Sequence, residues 1–184
     1  MRIRPALSPL VGALLLAALV ALPASAQERA NDEARSSPNA IVGQTIGTTD
    51  VVVTYGRPSV RERDVFGDLV PYDAVWRTGA NEATTVSFSD DVTVEGEPLA
   101  AGTYSLFTIP GEGAWTVIFN RTATQWGAFR YDDGEDALRV SVAPVEIASQ
   151  EQLLIAFSDV TADSAMMHLH WDTVGVPIAI GASE

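Results

Sequence analysis

The chain has 184 residues, 47% of them hydrophobic, and sets 24 acids against 11 basic residues, all arginine, for a net charge of −13. A surface of that sign disfavours nucleic acid and anionic membranes as partners, because binding phosphate needs positive charge. There is no cysteine, which excludes a disulfide framework and a thiol nucleophile, so the fold must hold by burial of its core alone.

Arg2 and Arg4 precede an apolar run over residues 10–22, and Ala24-Ser25-Ala26 closes it with small residues. That is the three-part pattern of a secretory signal peptide, and its apolar run is shorter than the ~20 residues a membrane span needs. Cleavage after Ala26 predicts a periplasmic or extracellular protein, and it removes two arginines while leaving every acid in place. No later stretch reads as a membrane-spanning helix. The acidity is explained by solubility, or more sharply by a high-salt habitat in which its self-repulsion is screened.

Residues 27–40 are polar, charged and unpatterned, which predicts a flexible linker. Short β-branched runs over 41–45 and 50–55 read as strands. After residue 85 a period of two takes over. Residues 84–88 alternate and Val92 with Val94 continue the pattern; in 102–109 Tyr104, Leu106 and Thr108 fall on one face and Ser105, Phe107 and Ile109 on the other, and Trp115, Val117 and Phe119 lead the next strand, with turns at Glu95-Gly96-Glu97-Pro98 and Pro110-Gly111-Glu112-Gly113. Residues 125–129 form an irregular aromatic stretch and 132–136 an acidic loop, and further strands are expected over 138–145, 152–157, 164–171 and 174–180. Eight or nine strands without a long helical segment predict an all-β, single-domain antiparallel β-sandwich over 41–180, the jelly roll being one such topology, with a frayed tail at 181–184.

Between the early strands and the alternating ones lies the long stretch 55–85, YGRPSVRERDVFGDLVPYDAVWRTGANEATT. Pro58 and Pro71 forbid a continuous helix or central strand in it, so at most short helical turns are expected, at 63–66 and 72–76. A long ordered loop on a β scaffold is where function concentrates. Residues 55–82 carry Arg57, Arg61, Arg63 and Arg77 beside five acids, a near balance in a chain otherwise strongly acidic.

The same stretch, together with AGTYSLFTIPGEGAWTVIFN, QWGAF and the closing W…VPI, resembles the exported bacterial family known as domain of unknown function 2911 over roughly residues 41–180. The resemblance implies an exported, mostly β domain and carries no established activity, cofactor or catalytic residue. His168 and His170, in MMHLH, depart from the apolar strand that the family pattern has there.

Arg57, Arg61, Arg63 and Arg77 can gather into an anion site, since guanidinium forks bind carboxylate, phosphate or sulfate bidentately. Alternatively Glu62, Asp64, Asp68, Asp73 and Glu82 tie them down. The charge balance favours this second reading, and the two coexist if one or two arginines stay unpaired. Tyr55, Trp76, Trp126 and Phe129 either line a pocket for a sugar or other flat ligand or anchor the loops to the core; Trp115 and Trp171, in alternating strands, belong to the core. Asn81 and Glu82 end a tight turn, and Glu82 is either a general base or a salt-bridged structural carboxylate. His168 and His170 share a strand face with Asp172, but zinc would need a further ligand, and a solvent-facing edge is the simpler expectation, so no metal is assigned. The acidic loop misses the calcium-loop spacing. No phosphate-cradling glycine loop, dinucleotide fingerprint or nucleophile elbow at Ser59 is present, and no cofactor is expected.

The expected function is therefore an exported, non-enzymatic binding module for a small anion, carboxylate or saccharide. Its candidate ligand-binding residues are Tyr55, Arg57, Arg61, Arg63, Trp76, Arg77, Asn81, Glu82 and Trp126. The alternatives are an envelope hydrolase or isomerase using a carboxylate near Arg77, or a purely structural envelope protein. Oligomeric state has no signal in the sequence.

Overall fold

Strand-period alternation carries through most of the chain. The computed structural model describes residues 33–182, so the signal-like segment and the last two residues of the tail lie outside the described residues. Ten strands form among them: β1 (Asn39–Ile46), β2 (Thr49–Gly56), β3 (Thr84–Phe88), β4 (Val92–Val94), β5 (Glu97–Leu99), β6 (Gly102–Ile109), β7 (Trp115–Asn120), β8 (Asp136–Val142), β9 (Val145–Ser158) and β10 (Ser164–Ala182). They make two antiparallel sheets, a six-stranded one in the order β1-β2-β3-β6-β7-β8 and a four-stranded one in the order β5-β4-β10-β9. The fold is thus all-β and consistent with a sandwich. Each sheet is built largely from hairpin neighbours, and the chain changes sheet only at β3–β4, β5–β6 and β8–β9, a meandering order rather than the interleaved Greek keys of a jelly roll.

The core fills from alternate residues of both sheets. Val51, Val53, Val86, Leu106, Val117 and Phe119 belong to the first, and Leu153, Ile155, Met167, Leu169, Ile178 and Ile180 to the second, all buried in one cluster. A second, smaller cluster of Ala83, Phe107 and Ile118 is covered by Val75, Ala128 and Tyr131, whose ring meets Phe107 edge-on at 5.0 Å. The irregular segment around 125–131 therefore has packing work of its own.

Three local expectations change. The two closing strands are one, β10, because the chain passes Asp172 through a bulge (φ 54°) instead of breaking, with register shifts on both sides of it. Glu97–Leu99, read as part of a turn, pairs with β4 as an edge strand, a place where Pro98 is tolerated. The one short helical turn is 3-10, at Asp133–Glu135 in the acidic loop, where the Asp132 side chain accepts from the Gly134 amide; residues 63–66 and 72–76 form turns instead.

Candidate functional site

The chain leaves β2 at Gly56 and crosses from the six-stranded sheet to the open edge of the other. There it pairs briefly with β9: Leu153 N donates to Pro58 O (3.0 Å) and Val60 N to Glu151 O (2.8 Å). Tyr55, buried, clasps the same edge, its hydroxyl accepting from Ile155 N at 3.0 Å. Arg57 donates through Nε to Leu153 O at 2.8 Å. These contacts cover an edge strand that would otherwise offer unpaired backbone groups. The segment then turns over buried Val65 and Val70 and returns to the first sheet, where Trp76 exchanges two backbone hydrogen bonds with Thr108 at the end of β6.

Outgoing and returning segments meet at glycines. A Cβ on Gly56 would stand 2.3 Å from Ala80 O, and one on Gly79 3.0 Å from Gly56 O, so only glycine lets the two backbones pass this closely. Beside this crossing Thr78 adopts φ 51°, costly for a β-branched residue, and is held there by Thr108 and by Thr84, whose hydroxyl donates to Thr78 O at 2.7 Å. Arg61, Glu62, Asp73 and Asn81 also have positive φ, so the loop is set in an exacting shape by its neighbours.

The two segments enclose a cavity of about 250 Å³ lined by Ser37, Pro58, Ser59, Arg61, Arg63, Leu69, Val70, Trp76, Arg77, Gly79, Ala80 and Trp171. Four of the nine sequence-nominated residues line it: Arg61, Arg63, Trp76 and Arg77. Among the described residues no Asp or Glu lines it. Its inner wall is a cluster in which Trp76 stacks on Trp171 (5.6 Å, 18°), with Phe66 edge-on to both. The indole nitrogen of Trp171 is buried without a hydrogen-bond partner, while that of Trp76 donates to Gly79 O at 3.2 Å.

The arginines are not paired as the charge balance suggested. None of Arg57, Arg61, Arg63 and Arg77 forms a salt bridge with a carboxylate among the described residues. Glu62, Asp64, Asp68 and Asp73 are exposed. Arg63 donates to the carbonyls of Val60 and Ser59, and Arg61 to that of Ser36. Arg77, half-buried, makes no side-chain hydrogen bond or ion pair among the described residues, and its Nε is covered and unpartnered. Burial with nothing to offset it pulls its pKa below the ordinary arginine value.

The remaining nominees lie outside the cavity lining. Glu82 is buried and forms a bidentate pair with Arg35 (2.8 and 3.1 Å), and Asn81 donates to Ser37 O at 3.3 Å. Together with Arg57 N to Pro38 O, these bonds seat residues 35–38 on the loop, although composition alone reads them as flexible linker. Trp126 bridges by its backbone to Glu82, but its side chain is 55% exposed and that of Phe129 83%; neither lines the cavity. Trp171, 2% exposed, belongs to the core as expected and also reaches the cavity, a role that alternation cannot reveal.

His168 and His170 lie 5.1 Å apart on β10, half-buried rather than freely solvated. His168 is hydrogen-bonded to Ser158 at 2.7 Å, and burial together with His168 lowers the pKa of His170. The bulge sets Asp172 in a different backbone conformation from the strand before it. Among the described residues no group of three or more histidines and acids is placed to hold a metal.

Fold and loop together define a class: an all-β domain whose β2–β3 crossover buckles one sheet edge and encloses an arginine-lined cavity. Residues 37–180 match the family described as Protein of unknown function (DUF2911), and the chain belongs to that family. No curated protein and no solved structure matches it. Among the described residues no helix is long and apolar enough to cross a membrane.

Proposed function

We propose that the protein is an exported binding module and that the cavity at the β2–β3 crossover takes a small anionic ligand. The observation that carries this reading is Arg77, a half-buried guanidinium that makes no side-chain hydrogen bond or ion pair among the described residues, its Nε buried without a partner, in a chain holding 24 acids. Burying a cation without a partner is unfavourable, and unsatisfied groups of this kind concentrate at functional sites. Arg61 and Arg63 add positive charge to the same cavity, and among the described residues no lining acid offsets them. Strained Thr78, beside Arg77, is a conformation a loop keeps only where its surroundings impose it.

The donor inventory chooses among the expected ligands. Guanidinium and hydroxyl donors face the cavity, while the side-chain acceptors in the lining are two serine hydroxyls. A neutral saccharide, rich in hydroxyl donors, would leave many unsatisfied; an anion, rich in acceptors, would not. A thermal-shift screen of the protein against organic acids, sugars and divalent metals tests this. Saturable stabilisation by organic acids, lost in Arg77→Ala, is the expected result; stabilisation by neutral sugars alone would overturn it.

A further inference from the structure

Resting on that anion-binding reading, we infer that the ligand is a short organic dianion of the dicarboxylate type. One carboxylate sits on Arg77, and the second charge is held by Arg61 and Arg63.

The division of charge follows from how the nitrogens are used. Arg63 has Nε and one terminal nitrogen committed to the carbonyls of Val60 and Ser59, and Arg61 has one committed to Ser36. Each of these two therefore offers only part of its fork. Arg77 has no side-chain nitrogen committed to a partner among the described residues and can take a carboxylate bidentately. Three cations on one cavity of about 250 Å³, with no acid in its lining among the described residues, are left mutually repelling by a single negative charge. A second negative charge answers Arg61 and Arg63, which come from the outgoing segment, while Arg77 comes from the returning one.

The organic body follows from the walls. Pro58, Leu69, Val70 and the Trp76–Trp171 stack line the same space, and they offer nothing to a bare inorganic ion but contact surface to a carbon chain. The volume falls below the ~300–1,000 Å³ of cavities that hold drug-sized molecules, so that chain is a few carbons long. Because Arg77 Nε is covered, its use by a carboxylate requires a local shift of the atoms around it.

The test is calorimetric titration of the purified protein at constant ionic strength. The probes are dicarboxylates from malonate to adipate, the monomethyl ester of the best of them, inorganic phosphate and sulfate, and glucose. A dicarboxylate is expected to bind, its monomethyl ester at least tenfold more weakly, and the inorganic anions more weakly still. The double variant Arg61→Gln/Arg63→Gln, confirmed folded by its circular dichroism, is expected to weaken both ligands but the dicarboxylate far more, so that the diacid loses its tenfold advantage over the ester. Both arginines are exposed, which makes the double variant the safer one to fold. Equal affinity for diacid and ester would overturn the dianion while leaving the anion site standing. Inorganic phosphate or sulfate matching the best dicarboxylate would overturn the organic body. Binding by glucose alone, or by no anion, would overturn the proposed function itself.

Discussion

Replacing Arg77 with methionine gives the sharpest consequence of this reading, because its sign is unusual. Most substitutions at half-buried positions destabilise. Here the guanidinium is partly desolvated and has no partner among the described residues, so it contributes nothing polar to the fold and costs something to bury. Leaving a buried donor unsatisfied costs about 1–3 kcal/mol, and the low end suits a side chain that is only half covered. Methionine keeps an unbranched apolar stem without the charge. Arg77→Met should therefore gain about 1 kcal/mol. For a domain of this size that raises the melting temperature by about 2–4 °C. Differential scanning calorimetry without ligand reads the gain, and titration with an organic acid reads the accompanying loss of binding. A fall of several degrees would show that the guanidinium is engaged in the fold, and the argument from its isolation would fail.

Four further outcomes follow from other parts of the structure. Glu82→Gln breaks the bidentate pair with Arg35, whose two side chains are only 8% and 20% exposed, and should lower stability by about 2 kcal/mol in chemical denaturation; no change would mean the pair does not hold residues 35–38 in place. His170 has a pKa below its ordinary 6.5, so the unfolded chain binds its proton more readily. Its contribution is complete above about pH 6.5 and is lost as pH falls below that, and His170→Gln should flatten the acid limb of a plot of melting temperature against pH. Tyr131 is pushed up to about 12 by burial and by its hydrogen bond to Asp136, so its contribution is complete below pH 10 and lost as pH rises towards 12; Tyr131→Phe should remove that alkaline step. With a net charge of −13, the protein should melt at higher temperature as salt rises to molar levels, where the screening length falls to about 3 Å, and an unchanged melting temperature would count against surface repulsion as a term in its stability.

How legible the molecule was depended on what each residue's neighbours add. β6 was readable to the residue, because Gly102 and Pro110 punctuate a run rich in aromatic and β-branched residues. β10 was not, because a bulge at Asp172 and a strand break look alike in a sequence; only pairing with β9 on both sides separates them. The loop was identifiable from its length, its prolines and its arginines. Its ion pairing was not, since counting five acids near four arginines says nothing about direction. Four of those acids face solvent, and the fifth, Glu82, reaches outside the loop to Arg35. Trp126 drew notice as an aromatic in irregular sequence and proved largely exposed, whereas Trp171 was hidden in a regular strand and reaches the cavity. Alternation assigns a side chain to a face of a sheet, but not to a cavity at the end of the sandwich.

An experimental structure of the protein crystallised with its best-binding dicarboxylate puts the most direct question to this account. The expected result is a carboxylate with both oxygens about 2.7–2.9 Å from the Arg77 guanidinium, and the carbon chain lying against Trp76. An aspartate or glutamate of the chain closed over Arg77, with the dicarboxylate elsewhere or not bound, would contradict it.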